Sequence, residues 1–204
     1  MFTNYSKLIA ITNRHLLAEG VTFEEQIQRI LDLRPDAIIL REKDLSAEEY
    51  KNLYERIFPI VSKTSTPLIL HGFVDAARAI QKKARAEGRP APVRIHLPFP
   101  MLEELAKKDP DFIADAALVG TSVHSLEEAV RAEELGCNYL VAGNIYETDC
   151  KPGLPGKGLE FLREIVLAVD ADVYAIGGVT RERLPEILST GATGGCMMSG
   201  FMKA

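Results

Sequence analysis

Short runs of consecutive apolar residues alternate along this chain with longer stretches in which apolar residues recur at helical spacing. The runs Leu8–Thr12, Ala37–Leu40, Leu68–Leu70, Val93–Leu97, Leu118–Ser122, Tyr139–Gly143, Val173–Ile176 and Gly195–Met198 predict strands. They are apolar on successive rather than alternate positions, which is the pattern of parallel strands buried on both faces. Between them, Phe23–Leu33, Ala47–Val61, Val74–Ala86, Met101–Lys107, Leu126–Leu135, Leu159–Val169 and Arg181–Ser189 read as amphipathic helices. Ser46 and Ser125 each stand three residues before a glutamate, Glu49 and Glu128, the spacing of a capping box. Gly136 and Gly191 follow predicted helices, where a left-handed C-terminal cap favours glycine.

Strand followed by helix, repeated eight times, predicts an α/β fold of the closed (β/α)8 TIM-barrel kind, which right-handed crossovers permit. The competing architecture is an open doubly wound sheet, whose first strand usually enters a Gly-rich turn. Here the first strand runs into Thr12-Asn13-Arg14-His15 without a G-x-G-x-x-G, which favours the barrel. Residues 1–204 form one expected domain, since no linker interrupts the rhythm. A barrel of this kind typically takes about 250 residues, so the chain must economise. The economies fall after strand four and after strand eight, where the final helix is truncated.

Composition narrows the functional classes. Hydrophobic residues make up 47% and charged residues 26%, as in a globular domain able to bury a core without disulfides. Lys plus Arg total 24 against 29 Asp plus Glu, a net charge of −5, which argues against a nucleic-acid partner. A small anion is compatible with that balance, because a few focused donors suffice to hold one phosphate. The three cysteines, Cys137, Cys150 and Cys196, are widely spaced and fit reduced cytosolic thiols rather than a disulfide frame or a zinc site. No apolar run approaches the roughly 20 residues of a membrane span, and no signal-like segment opens the chain. A cytoplasmic protein without a membrane partner is expected.

In a barrel, chemistry is built at the C-terminal ends of the strands. On the predicted map His15, His71, His96 and His124 all fall there, either as groups able to move protons near neutral pH or as hydrogen-bonded residues of the barrel mouth. No metal is expected, because neither a His-Glu-x-x-His nor a His-x-His spacing occurs. Strand two ends in Leu40-Arg41-Glu42-Lys43-Asp44, which is either an anion site built on Arg41 and Lys43 or an internal ion-pair cluster with Glu42. The loop after strand six, Gly143 to Gly158, is long and carries hydroxyl, carboxylate and lysine groups, as functional loops do. Ile176-Gly177-Gly178 after strand seven and Met198-Ser199-Gly200 after strand eight are either a backbone phosphate site or tight turns.

These segments, in this order, resemble the thiamine phosphate synthase superfamily nearly end to end. The densest parts are Ser122-Val123-His124-Ser125-Leu126-Glu127-Glu128-Ala129 and Glu147-Thr148-Asp149-Cys150-Lys151. Within the superfamily the resemblance points to the thiazole tautomerase branch. It implies an isomerase that aromatises a thiazole carboxylate phosphate without a cofactor, with His124 moving the proton. Ser122 and Thr148 would orient the substrate, and Arg41, Lys43 and Lys151 would meet its carboxylate or other anionic groups. Gly177, Gly178, Met198 and Ser199 would bind phosphate, and a homodimer is expected by resemblance. The alternative within the superfamily is the synthase, a transferase joining a pyrimidine diphosphate to a thiazole phosphate with magnesium. Synthases carry Asn-Asp after strand three and an aspartate after strand four. Here those places read His71-Gly72 and Pro98-Phe99-Pro100-Met101, so the resemblance favours the tautomerase. A third reading is a regulator that binds the thiazole phosphate without turnover.

Overall fold

Leu8, Ile9, Ala10 and Ile11 offer no polar face, and a segment buried on both sides must satisfy its backbone through strands on either edge. The computed structural model, which describes residues 7–88, 92–148 and 153–204, meets that demand. Its strands are β1 (Leu8–Ile11), β2 (Ala37–Leu40), β3 (Leu68–His71), β4 (Arg94–Pro98), β5 (Leu118–Val123), β6 (Tyr139–Gly143), β7 (Asp172–Ile176) and β8 (Gly194–Met197). They close into an eight-stranded barrel in sequence order, β1 to β8. Neighbouring strands pair in parallel, with Ile9 opposite Ala37, Leu40 opposite Leu70, Ser122 opposite Val141 and Gly143 opposite Ile176. The fold is therefore the predicted α/β TIM barrel.

Among the described residues the helices are α1 (Phe23–Asp32), α2 (Ala47–Val61), α3 (Val74–Ala86), α4 (Phe99–Lys108), α5 (Pro110–Asp115), α6 (Leu126–Glu134), α7 (Gly158–Ala168), α8 (Leu184–Leu188) and α9 (Ser199–Met202). The Ser46–Glu49 capping box forms in full, and Thr22–Glu25 forms a second one at α1 that the sequence reading did not pick out. At α6 only half of it forms. Ser125 Oγ accepts from the Glu128 N–H at 3.1 Å, whereas the Glu128 carboxylate takes the His124 N–H at 2.6 Å, one residue further back. Gly136 and Gly191 take positive φ, 89° and 92°, at the ends of their helices.

Two expectations need correction. The segment after strand four is not short: Asp109 closes α4 and, by accepting from the Phe112 N–H at 3.2 Å, starts α5 at Pro110. The helix expected from Arg181 begins only at Leu184, because Pro185 has no N–H to give an interior turn and so sits in the first one. The final helix is truncated, as predicted, to the four residues of α9. No helix among the described residues is long and apolar enough to cross a membrane.

The chain packs as two compact units, one of Met1–Ile95 with Met198–Ala204, the other of His96–Met197. In the first, Ile38, Ile39, Ile69 and Tyr50 are almost wholly buried, and Gln26 Nε2 donates to the Phe201 carbonyl at 2.7 Å, tying α1 to α9. In the second, Val119, Leu140, Val141, Leu162 and Ile165 form the core.

Candidate active site

In the first unit the polar groups that follow β1 and β2 form one network. Thr12 is fully buried, and its hydroxyl donates to Glu42 Oε1 at 2.7 Å while accepting the Arg41 N–H at 3.0 Å. Glu42 is also buried and takes the Arg14 N–H at 3.0 Å and Arg14 Nη1 at 3.2 Å. Arg14 extends onward to Asp44 through both Nη atoms, and His15 Nε2 stands 3.0 Å from the same carboxylate. The Arg14 guanidinium, with His15 adding to it, holds the Asp44 carboxyl well below the usual carboxylate range. Both acidic groups after β2 are thus committed to Arg14.

That leaves Arg41 and Lys43 to be placed. The internal ion-pair cluster does not form, and among the described residues neither cation has an acidic partner. Leu40 stands opposite Leu70, so Arg41, the next residue, comes in line with His71. Side chains alternate along extended backbone, which sends Glu42 to the Thr12 side while Arg41 keeps company with His71. His71 is buried, and its imidazole is pushed down to about 4, first by burial and then by the charges of Arg41 and Lys43. Lys43 is itself lowered by partial burial and by Arg41. The Tyr50 hydroxyl fixes the backbone here, accepting the His71 N–H at 2.9 Å and donating to the Leu40 carbonyl at 2.6 Å. Met198 and Ser199 also belong to this unit: Met198 is the N-cap of α9, Asn13 Nδ2 donates to its sulfur at 3.6 Å, and Ser199 is exposed.

In the second unit His96 is buried between two hydroxyls, with Nδ1 3.0 Å from Tyr139 Oη and Nε2 2.9 Å from Ser122 Oγ. Ser122, expected to orient substrate, is therefore held by a histidine inside β4. His124 is exposed just past β5, and its Nδ1 lies 2.7 Å from the Gly143 carbonyl. A carbonyl oxygen can only accept, so Nδ1 carries the proton and Nε2 is left as the acceptor.

The loop after β6 first follows the residues after β7, with the Ile145 N–H on the Ile176 carbonyl at 2.8 Å and the Tyr146 N–H on the Gly177 carbonyl at 3.1 Å. Gly177 and Gly178 both have positive φ, and a Cβ on Gly178 would stand 2.6 Å from the Glu147 carbonyl oxygen. Only glycine lets the two loops run this close. Arg183, absent from the sequence-derived site, holds the arrangement: it donates to the Gly178 carbonyl at 2.7 Å and stacks 4.3 Å from the Tyr146 ring centroid. Tyr146 Oη in turn donates to Glu186 at 2.6 Å. The only signal for Arg183 in the sequence was its place five residues after a Gly-Gly turn. Thr148 is half-buried, and Lys151 lies outside the described residues. The two predicted phosphate segments, Gly177-Gly178 and Met198-Ser199, fall in different units.

A closed parallel barrel with its polar groups at the C-terminal strand ends is the architecture of a (β/α)8-barrel enzyme. Residues 8–201 match the family described as thiamine monophosphate synthase. A thiamine-phosphate synthase from Pyrococcus furiosus is 32% identical over 98% of this chain and 89% of that protein. A putative thiamine-phosphate synthase 2 from Aquifex aeolicus is 32% identical over 97% of this chain and 98% of its own length. Among solved structures, thiamine phosphate pyrophosphorylase from Pyrococcus furiosus superposes with a TM-score of 0.75 at 30% identity, covering 98% of this chain and 89% of that one. The chain belongs to the thiamine monophosphate synthase family.

The expectation of a thiazole tautomerase is overturned by these relatives, which carry the synthase name along their full length. That expectation rested on His71-Gly72 and Pro98-Phe99-Pro100-Met101 standing where synthases carry their carboxylates. His124, at the end of β5, is tied to the end of β6 through the Gly143 carbonyl and to α6 through Glu128.

Proposed function

We propose that the protein is a transferase of thiamin biosynthesis, joining a pyrimidine carried on a diphosphate to a thiazole phosphate. In that reaction the carbon–oxygen bond to diphosphate breaks with its electron pair, and a carbon–nitrogen bond to the thiazole forms. The transition state therefore needs positive charge where the diphosphate departs. One observation carries the reading: Arg41 and Lys43, which have no acidic partner among the described residues and are set beside His71, supply that charge in a chain that matches the synthase family from residue 8 to 201. In the second unit Gly177 and Gly178 are proposed to bind phosphate, with Ser122 and Thr148 orienting the thiazole; in the first, Met198 and Ser199 are proposed phosphate contacts.

The resemblance brings magnesium to such a reaction, but the residues present do not fit a divalent cation. The end of β3 offers an imidazole beside two cations, and the carboxylates after β2 are already held by Arg14. Among the described residues no three His, Cys, Asp or Glu side chains are grouped to hold a metal. No step is therefore routed through one.

Incubating the protein with hydroxymethylpyrimidine diphosphate and the thiazole phosphate, with and without magnesium, tests the reading. Thiamine phosphate and diphosphate are expected in equal amounts by chromatography, with turnover lowered at least roughly tenfold by Arg41→Gln, the loss expected for a charge-assisted hydrogen bond. Absence of product from folded protein under both conditions overturns it.

A further inference from the structure

The hydroxyl of Ser122 ends a chain of three polar groups in the second unit, and the group at the other end sets the direction of both hydrogen bonds. That group is Tyr139, in β6. It is almost wholly buried, and burial raises its pKa well above the ordinary phenol value, so it stays protonated. Its ring fits only because β5 carries glycine opposite it, since a Cβ on Gly120 would stand 2.1 Å from two of the ring carbons. Among the described residues the Tyr139 hydroxyl has one hydrogen-bond partner, His96 Nδ1 at 3.0 Å. A buried O–H that donated to nothing would lose the water it had bound without compensation, so the phenol gives its proton to Nδ1. A neutral imidazole that accepts at Nδ1 carries its hydrogen on Nε2. Nε2 therefore donates to Ser122 Oγ, 2.9 Å away. Thr121, the residue before Ser122, ties β5 to β4 beside this pair by donating to the Leu97 carbonyl at 2.7 Å.

An Oγ that accepts from Nε2 must turn its own hydrogen elsewhere. Ser122 is half-buried near the end of β5, and among the described residues no group takes that hydrogen. We infer that Tyr139 and His96 are positioning residues, which hold the Ser122 hydroxyl as a hydrogen-bond donor toward an acceptor atom of the ligand. The inference rests on the transferase reading for what the ligand is, whereas the tautomer of His96 belongs to the protein alone. In that reaction the thiazole nitrogen needs its lone pair for the new carbon–nitrogen bond. The acceptor that meets Ser122 is therefore a different atom of the ligands.

Nitrogen-15 NMR of the full chain labelled at histidine reads the tautomer directly. The His96 signals are assigned by elimination from His15→Gln, His71→Gln and His124→Gln, so the buried residue itself need not be changed. The neutral form protonated at Nε2 is expected at neutral pH, and Tyr139→Phe is expected to let the form protonated at Nδ1 appear. A wild-type His96 protonated at Nδ1, or at both nitrogens, overturns the inference whatever the variants do. So does a tautomer that Tyr139→Phe leaves unchanged. Turnover of the two half-substrates gives the second readout. Ser122→Ala and Tyr139→Phe are each expected to lower kcat/KM roughly tenfold, and the double variant no further than Ser122→Ala alone. A merely structural Tyr139 would make the two losses multiply, and that outcome overturns the inference. The expected tautomer in a protein that forms no thiamine phosphate leaves the inference standing and removes the transferase reading. Product formed by a protein with His96 in the other tautomer does the reverse.

Discussion

Glu42 decides what its neighbours can do. Between two cations in sequence, it could have neutralised both, and composition alone does not distinguish that outcome from an anion site. In the structure Glu42 is turned to Thr12 and Arg14, and Arg41 comes in line with His71, so Glu42 pairs with neither neighbour. His71 then carries a measurable consequence. Its folded value of about 4 lies below the ordinary 6.5, so between those limits the unfolded chain binds a proton that the folded chain refuses. Stability is full above about pH 6.5 and falls as the pH drops toward 4, by up to roughly 3 kcal/mol. Urea unfolding across that window is expected to show the loss, with His71→Gln flattening the profile. An unchanged slope in that variant would place the acid sensitivity elsewhere. The sequence marked His71 as a strand-end residue but could not tell a titrating imidazole from a neutral one. That difference comes from burial and from charges on another strand.

At the scale of elements, the Tyr50 hydroxyl ties α2 to the ends of both β2 and β3. Tyr50 is wholly buried, and its phenol is raised far above the ordinary range by burial, so it remains a proton donor throughout the accessible pH range. Tyr50→Phe leaves the Leu40 carbonyl and the His71 N–H without partners in a dry place. A loss of about 2–3 kcal/mol in urea unfolding is expected, more than the ring's unchanged apolar contacts would suggest. Retention of wild-type stability would mean that water or another group replaces the hydroxyl. The elements themselves were largely legible, since strands buried on both faces announce themselves as unbroken apolar runs, as in Ala37–Leu40 and Tyr139–Gly143. Their ends were less so. Pro185 moved the start of α8, and Asp109 divided the segment after β4 into two helices. Arg183 was missed because its partners, Gly178 and Tyr146, lie on separate loops that meet only once β6 and β7 are paired.

Over the whole molecule, acidic residues outnumber basic ones and the net charge is −5, yet the site proposed for diphosphate has cations to spare. The two facts are compatible because charge acts locally: the Debye length is about 8 Å at physiological salt, so distant carboxylates are screened from the end of β2 while Arg41 and Lys43 act together. A ligand held there favours the folded chain by mass action. At a concentration a hundredfold above its Kd, one bound diphosphate adds about 2.7 kcal/mol to the stability. For a chain of 204 residues that corresponds to a rise in Tm of roughly 5–10 °C. The rise is expected in chelator as well as in magnesium, and it is expected to vanish in the double variant R41Q/K43Q. Sulfate at the same ionic strength is expected to give a smaller shift, since it offers one tetrahedral anion where the fork and the ammonium together span two. An equal rise in the double variant would assign the stabilisation to general screening of the acidic surface, and the focused pair would lose its role.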